Sequence, residues 1–255
     1  MTGAIPRRVP ISRFATILDR LHAQLGEPRH RRLAPLDELL MTVLSQNTSD
    51  VNTGRAYRAM RERFGTWREV MEADPAALVE VLRPGGLANQ KAPRIQSILR
   101  ELDASDQGLE LEWLAGCDPN DALAFLTALP GVGAKTASCV LLFSFGMPVM
   151  PVDTHVHRIA LRLGLIGPRV SAEAAHPLLT AMTPPHRMLE AHLLLIAHGR
   201  TTCKARRPLC GECVLLDLCP TGLAADGAPA AQPPVTRSRQ PGAVSRTSGA
   251  RSARR

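Results

Sequence analysis

Short apolar patterns with steps of three and four residues follow one another along most of the chain. Phe14, Ile17, Leu18 and Leu21 first set this spacing. One face of a helix requires it, whereas a half-buried strand requires alternation, which no segment convincingly has. Gly and Pro clusters separate the patterns, as short loops between packed helices would. The sequence therefore predicts an all-α fold, with helical segments at 13–25, 36–44, 53–64, 75–82, 93–102, 121–129, 135–145, 154–163, 172–182 and 187–196.

The charge of the chain favours a polyanionic partner. Lys and Arg outnumber Asp and Glu by 31 to 23, and the pI is about 9.8. This balance also suits a membrane-surface or ribosomal protein. Residues 220–255 contribute +5 of the +8 and contain almost no large apolar side chains, so a disordered basic tail is expected.

No segment of the sequence resembles a membrane span or a secretory signal. The N-terminus lacks an apolar run, and the most apolar stretch, 137–152, is short and interrupted by Gly146, Pro148 and Pro151. We therefore expect no membrane association and a cytoplasmic location.

Four of the six cysteines lie within seventeen residues near the end of the chain. Cys203, Cys210, Cys213 and Cys219 are separated by six, two and five residues, so their thiols can surround one centre. Disulfides are not expected in a reducing cytosol. Four thiolates can hold either tetrahedral zinc or a cubane iron–sulfur cluster, and the spacing alone leaves both open.

A turn with two glycines lies between two helical patterns at residues 129–137, LPGVGAKTA. Gly131 and Gly133 allow the backbone to approach closely, and the N–H groups that start the next helix can bind an anion. From the glycines alone, an ordinary helix–helix turn is the better explanation of the segment. Eighteen residues beyond Lys135 stands Asp153, in PVDTHVHR, which is also a natural N-cap for the next helix.

Together, the glycine turn with Lys135, the segment around Asp153 and the cysteine spacing resemble the endonuclease III family of helix-hairpin-helix DNA glycosylases. The resemblance runs from Leu36 to Cys219, about 70% of the chain. It implies a 4Fe–4S cluster on the four cysteines. It also implies that the 129–137 turn grips a DNA phosphate without reading sequence.

The resemblance assigns Lys135 as the nucleophile and Asp153 as the catalytic aspartate. A neutral amine can attack C1′ of the damaged nucleotide and expel the base, and β-elimination from the resulting Schiff base then breaks the strand. Asp153 would stabilise cationic character on the sugar and move protons. Gln46 and Leu87 match the family's residues that are inserted into the DNA stack.

The expected function is therefore a bifunctional DNA glycosylase and abasic-site lyase that removes oxidised pyrimidines. Its partner would be duplex DNA with damaged bases or abasic sites, and it would act as a monomer. Lys204, Arg206 and Arg207, within the cysteine loop, can reach phosphates.

Two alternatives to this function are a monofunctional adenine or mismatch glycosylase and a DNA-binding module without catalysis. The adenine-removing branch lacks the lysine, and it uses a carboxylate on an early helix where this chain has Thr42 and Val43.

The expected architecture is a two-lobed helical bundle with a helix-hairpin-helix motif and a C-terminal iron–sulfur loop. The active cleft would lie between the lobes. The predicted boundaries are 1–12 for a flexible N-terminus, 13–34 for the N-terminal helix of the cluster lobe, 35–148 for the barrel lobe, 149–220 for the cluster lobe and 221–255 for the tail.

Overall fold

The computed structural model describes residues 11–226, which contain twelve α-helices and no strand. The all-α prediction is confirmed. The helices are α1 (Ile11–Leu25), α2 (Pro35–Leu44), α3 (Asp50–Arg63), α4 (Trp67–Glu72), α5 (Pro75–Leu82), α6 (Ala88–Asp103), α7 (Pro119–Ala128), α8 (Ala134–Val140), α9 (Thr154–Arg162), α10 (Ala172–Met182), α11 (Met188–Thr201) and α12 (Pro220–Asp226). No helix in this range is long and apolar enough to cross a membrane.

Polar side chains fix where many of these helices begin. A Ser, Thr or Asp stands just before the first helical residue and accepts a backbone N–H that has no partner within the helix. Because these caps are local in sequence, they place each helix start to within a residue. The capping residues are Ser49 for α3, Thr66 for α4, Asp74 for α5, Asp118 for α7, Asp153 for α9 and Ser171 for α10.

The sequence patterns did not predict two helices. Helix α4 is only six residues long and buries Val70 and Met71, too few residues to form a repeating pattern. Helix α12 shows that the predicted start of the tail at residue 221 is wrong. This helix packs closely on the preceding segment, because a Cβ added at Gly222 would lie only 2.9 Å from Leu216 Cδ1. The composition of the helix does not indicate this packing.

The other tail and N-terminal predictions fall mostly outside the described residues. Helix α1 begins at Ile11, two residues before the predicted helix and inside the segment predicted to be flexible. The predictions for residues 1–10 and 227–255 lie outside the described part of the chain.

The helices pack in two groups, which we call the barrel lobe (α2–α8) and the cluster lobe (α1 and α9–α12). In the barrel lobe, α2 packs on α3 and α8, α5 packs on α3 and α6, and α7 packs on α8. In the cluster lobe, α1 and α9 pack on α11, while α10 and α12 contact α9. The lobes meet where α8 and the π-helical turn Leu141–Phe145 contact α10 and α11. The two-lobed prediction is confirmed, and the residue boundaries drawn between the lobes stay a prediction.

Candidate active site and thiol cluster

Lys135 and Asp153 line one cavity of about 290 Å³ between the two lobes. Lys135 is the second residue of α8, from the barrel lobe, and Asp153 precedes α9, from the cluster lobe. Both side chains are half-buried. Helices α2, α3 and α11 complete the walls. The structure therefore brings together the two residues that the sequence singled out for catalysis.

Asp153 is also the N-cap of α9. Its Oδ1 accepts the backbone N–H of Val156 at 2.8 Å. A carboxylate has two oxygens, so the capping bond to Oδ1 fixes the side chain and leaves Oδ2 available to accept a hydrogen bond or a proton. Capping and lining the cavity are therefore compatible roles.

Cys139 lies one helical turn after Lys135 and lines the same cavity. Burial raises the pKa of Cys139 to about 11, and the nearby Lys135 ammonium offsets only part of that rise. The thiol is therefore protonated at neutral pH and is a poor nucleophile. A buried, protonated thiol of this kind is typical of a core cysteine.

His192 of α11 is a buried side chain at the cavity. Its Nδ1 donates to the carbonyl oxygen of Pro151 at 3.0 Å, which ties α11 to the segment leading into Asp153. Burial lowers the pKa of His192, and the Asp153 carboxylate only partly offsets this. The imidazole is therefore neutral at pH 7, and with Nδ1 as the donor its Nε2 is an acceptor.

Glu38 on α2 is a cavity residue that sequence reasoning missed. It is 7% exposed, and the Thr42 hydroxyl donates to its Oε1 at 3.2 Å. A carboxylate thus stands one helical turn from Thr42. The contrast with the adenine-removing branch, which was drawn from Thr42 and Val43, did not take this carboxylate into account. The i, i+4 spacing of Glu38 and Thr42 within an apolar helix was the available signal.

The glycine turn joins α7 to α8 and is exposed. Gly131 has a φ of +70°, a conformation that favours glycine, and Gly133 stands at the start of α8. A Cβ at Gly131 would lie 2.6 Å from Arg94 Nε, so the turn packs closely on α6. The predicted helix-hairpin-helix is therefore present, with Gly131 and Gly133 of its turn exposed.

Gln46 and Leu87 lie on neighbouring loops at the same side of the barrel lobe. Arg94 joins the first loop to the hairpin, because its Nη1 donates to Gln46 Oε1 at 2.7 Å. The buried Lys91 joins the two loops, since its Nζ donates to the carbonyl oxygens of Leu44 (2.6 Å) and Gly85 (2.9 Å). Neither Arg94 nor Lys91 was predicted as a site residue.

Leu87 has an unusual backbone for an apolar side chain. Its φ is +53°, and 44% of its surface is exposed. Asn47, next to Gln46, has a φ of +54° and is exposed as well. A left-handed conformation costs a non-glycine residue about 1 kcal/mol or more and is frequent at binding sites.

The four clustered cysteines surround a second cavity. Cys203, Cys210, Cys213 and Cys219 all line it, and its volume is about 90 Å³. One water needs roughly 10–15 Å³ on the same measure, so the space accommodates a group of several atoms. Thiolates around such a space suit an iron–sulfur cluster.

Two arginines of α9 hold the loop that carries these cysteines. Arg158 Nη2 donates to the carbonyl oxygen of Cys203 at 2.9 Å. Arg162 donates to the carbonyl oxygens of Lys204 (2.8 Å) and Ala205 (3.1 Å), and its Nη1 lies 3.2 Å from Cys203 Sγ. The first part of the cysteine loop is therefore fixed to the same helix that Asp153 caps.

Lys204, Arg206 and Arg207 lie on the outside of the cysteine loop and are exposed. Arg207 has a φ of +52°. None of the three lines the cavity with Lys135 and Asp153. The structure places them on the surface of the cluster lobe, outside the cavity that Lys135 and Asp153 line.

Comparison with known proteins identifies the family. Residues 40–185 match the model of the HhH-GPD superfamily of base excision DNA repair proteins, and residues 203–219 match the iron–sulfur binding domain of endonuclease III. The chain belongs to the endonuclease III family. The second match begins at Cys203 and ends at Cys219, so the family's 4Fe–4S cluster is the cofactor, a choice that cysteine spacing alone left open.

Individual relatives agree with this assignment. Endonuclease III of Sulfolobus acidocaldarius is 35% identical over 183 residues, 71% of this chain and 79% of the relative. Endonuclease III of Thermotoga maritima is 38% identical over 190 residues, 74% of this chain and 84% of the relative. A solved structure of a trapped endonuclease III–DNA covalent intermediate aligns with a TM-score of 0.75 at 28% identity, covering 86% of this chain and 99% of that one.

Proposed function

We propose that this protein is a bifunctional DNA glycosylase and abasic-site lyase that removes oxidised pyrimidines from duplex DNA during base excision repair. The observation that carries the proposal is the shared cavity of Lys135 and Asp153, one from each lobe. An amine nucleophile and a carboxylate are the two groups that the reaction needs. The similarity to a trapped covalent endonuclease III–DNA complex supports the same chemistry.

The reaction begins when the damaged nucleotide turns out of the duplex into the cavity. The neutral amine of Lys135 attacks C1′, forming a C–N bond while the bond to the base breaks and the base leaves with its electron pair. Asp153 stabilises the positive charge that develops on the sugar and transfers protons. The nitrogen then loses a proton and its lone pair breaks the C1′–O4′ bond, which opens the sugar, protonates O4′ and leaves a Schiff base. Loss of a C2′ proton from this Schiff base expels the 3′ phosphate by β-elimination, which nicks the strand.

Contacts with undamaged parts of the duplex come from three loops. The exposed N–H groups at Gly131 and Gly133 bind a backbone phosphate. Gln46 and Leu87 fill the gap left by the displaced nucleotide, and the exposed left-handed Leu87 supports a wedging role.

The exposed cations of the cysteine loop extend this DNA contact. Lys204, Arg206 and Arg207 bind phosphates on the side of the cluster lobe. Because such contacts are electrostatic, they add affinity and salt dependence without reading sequence.

The iron–sulfur cluster has a structural role in this proposal. Cys203, Cys210, Cys213 and Cys219 are its ligands, and four protein ligands leave no position for a substrate. When bound, the cluster supplies a rigid centre for the cysteine loop. Arg158 and Arg162 then hold that loop on α9, which carries Asp153 at its start.

The protein would act as a monomer, because the cavity is complete within one chain. Its substrate places it in the cytoplasm at the nucleoid.

Three matched duplexes test the proposed function, containing thymine glycol, an abasic site or no damage. Nicking of the first two and no cleavage of the third is the expected result. Base release without nicking would indicate a monofunctional glycosylase instead. Binding of all three without any reaction would indicate a DNA-binding module and contradict the proposal.

A further inference from the structure

Glu38 is a buried carboxyl group that the catalytic steps above do not use. It lies in the middle of α2 and lines the same cavity as Lys135 and Asp153, with only 7% of its surface exposed. Burying a carboxyl group costs free energy unless a partner compensates for it. Such a residue on a cavity wall therefore calls for an explanation.

Only part of the hydrogen-bonding capacity of Glu38 is used within the protein. Within the described residues its one hydrogen bond is accepted by Oε1 from the Thr42 hydroxyl at 3.2 Å. Its other oxygen, Oε2, can form a further hydrogen bond, and Glu38 lines the cavity. A molecule in the cavity could complete its hydrogen bonding.

The surroundings of Glu38 disfavour its charged form relative to a carboxyl group in water. Burial raises the pKa of Glu38, and the Thr42 hydroxyl and the Lys135 ammonium offset that rise only in part. A protonated carboxyl group is a hydrogen-bond donor, whereas a carboxylate only accepts. Because Glu38 lines the cavity and its hydrogen bond to Thr42 involves only Oε1, its protonated form can donate from Oε2 to an acceptor atom in the cavity.

The neighbours of Glu38 in the cavity suit the ring of a base. Met41 and Phe143 present apolar surface, the usual lining of a pocket for an organic ring. Lys135 fixes where C1′ of the sugar must lie, and the base then extends into the remaining space. An oxidised pyrimidine retains ring carbonyl oxygens, which are acceptors at its edge.

We propose that the Glu38 carboxyl group donates a hydrogen bond to a ring carbonyl oxygen of the displaced base and thereby selects carbonyl-bearing bases. The inference rests on the proposed function and adds a substrate-recognition residue to it. Glu38 does not touch the sugar in this account, so it contributes to base removal and has no part in cleavage of an abasic site.

The test compares two substitutions on two substrates under single-turnover conditions. Glu38→Gln retains a donor of similar size, whereas Glu38→Leu retains only the volume. On thymine-glycol duplex we expect Glu38→Leu to slow base release at least about tenfold, the effect of losing one buried hydrogen bond, and Glu38→Gln to remain within about threefold of wild type. On abasic duplex both variants should still nick, and Glu38→Leu should lose less of its nicking rate than of its base-release rate.

Abasic cleavage also serves as the folding control, and it separates this inference from the proposed function. A wild-type protein that does not cleave abasic DNA would refute the function itself. Wild-type cleavage together with unchanged base release by Glu38→Leu would refute only the role of Glu38. Glu101→Gln, an exposed change on α6, is the matched surface control.

A measurement on the unmodified protein covers the case in which Glu38→Leu does not fold. Each ring carbonyl oxygen of the thymine-glycol substrate is replaced in turn by sulfur, a weaker acceptor. One of the two replacements should slow base release by the wild-type protein about tenfold. Equal rates for both analogues and the parent base would overturn the proposal.

Discussion

The two cavities of this protein are built in different ways. The cavity with Lys135 and Asp153 holds about 290 Å³, and its walls come from helices of both lobes. The cysteine cavity holds about 90 Å³, and all four thiols that line it come from seventeen consecutive residues. The first has the size and the mixed polar and apolar lining that an extrahelical nucleotide needs. The second suits a group that stays bound.

Helix α9 connects the two cavities. Asp153 caps its start at the larger cavity, while Arg158 and Arg162, on its later turns, bind carbonyl oxygens of the cysteine loop. This arrangement predicts that damage to the cysteine loop weakens the whole lobe, whereas changes to the catalytic pair leave the loop intact.

Asp153→Asn should slow base release about 100-fold or more, because it removes electrostatic stabilisation of the developing positive charge. Asparagine is as good an N-cap as aspartate, so thermal stability and cluster content should be nearly unchanged. Single-turnover kinetics and the visible absorbance of the cluster measure the two effects. A colourless or unstable variant would contradict the asymmetry.

Arg162→Met should weaken retention of the cluster by about 10- to 100-fold, because it removes hydrogen bonds that hold the cysteine loop and contact Cys203. The rate at which absorbance is lost in the presence of an iron chelator is the measurement. Arg169→Met, an exposed arginine beyond α9, provides the control. Equal rates of loss for both variants would argue against the role of Arg162.

Lys91→Met should lower the free energy of unfolding by about 1–2 kcal/mol, because the carbonyl oxygens of Leu44 and Gly85 lose their shared donor. The loops with Gln46 and Leu87 should then become more mobile. Urea denaturation measures the stability, and hydrogen exchange of the loop amides measures the mobility. Unchanged exchange in both loops would show that Lys91 does not hold them together.

Asp50→Asn should change stability by less than about 1 kcal/mol, because the Asp50–Arg200 pair at the larger cavity is exposed. The carboxylate repels phosphate, however, so its removal should tighten DNA binding a few-fold at low salt. Fluorescence anisotropy at two salt concentrations is the measurement. Glu62→Gln, at the other end of α3, is the control and should tighten DNA binding less than Asp50→Asn. Equal effects of the two variants would indicate that the net charge of the protein, and not the position of Asp50, determines the change in affinity.

Local patterns in the sequence were enough to predict the cysteine site and most helices. The four cysteines lie close together in sequence, and helical spacing repeats within a few turns, so both can be recognised without tertiary structure. Helices α4 and α12 were missed because they are six and seven residues long. Spacing alone could not decide between zinc and a 4Fe–4S cluster, and the family match decided it.

The larger cavity could be predicted only where a family motif covers it. Lys135 and Asp153 belong to such motifs, and the structure places them together. Glu38 and His192 are 154 positions apart in the sequence, and only packing of α2, α8 and α11 brings them to one cavity. Arg94 was missed for the same reason, since its contacts with Gln46 and Gly131 link distant segments.

The central claim is that the Lys135 amine forms a covalent bond to the sugar, and borohydride trapping tests it most directly. Wild-type protein incubated with abasic duplex and borohydride should give a stable protein–DNA adduct, because the reductant fixes the Schiff base. Lys135→Gln should bind the same duplex with nearly unchanged affinity and give no adduct. An adduct of wild-type yield with Lys135→Gln, or none with the wild-type protein, would contradict the account.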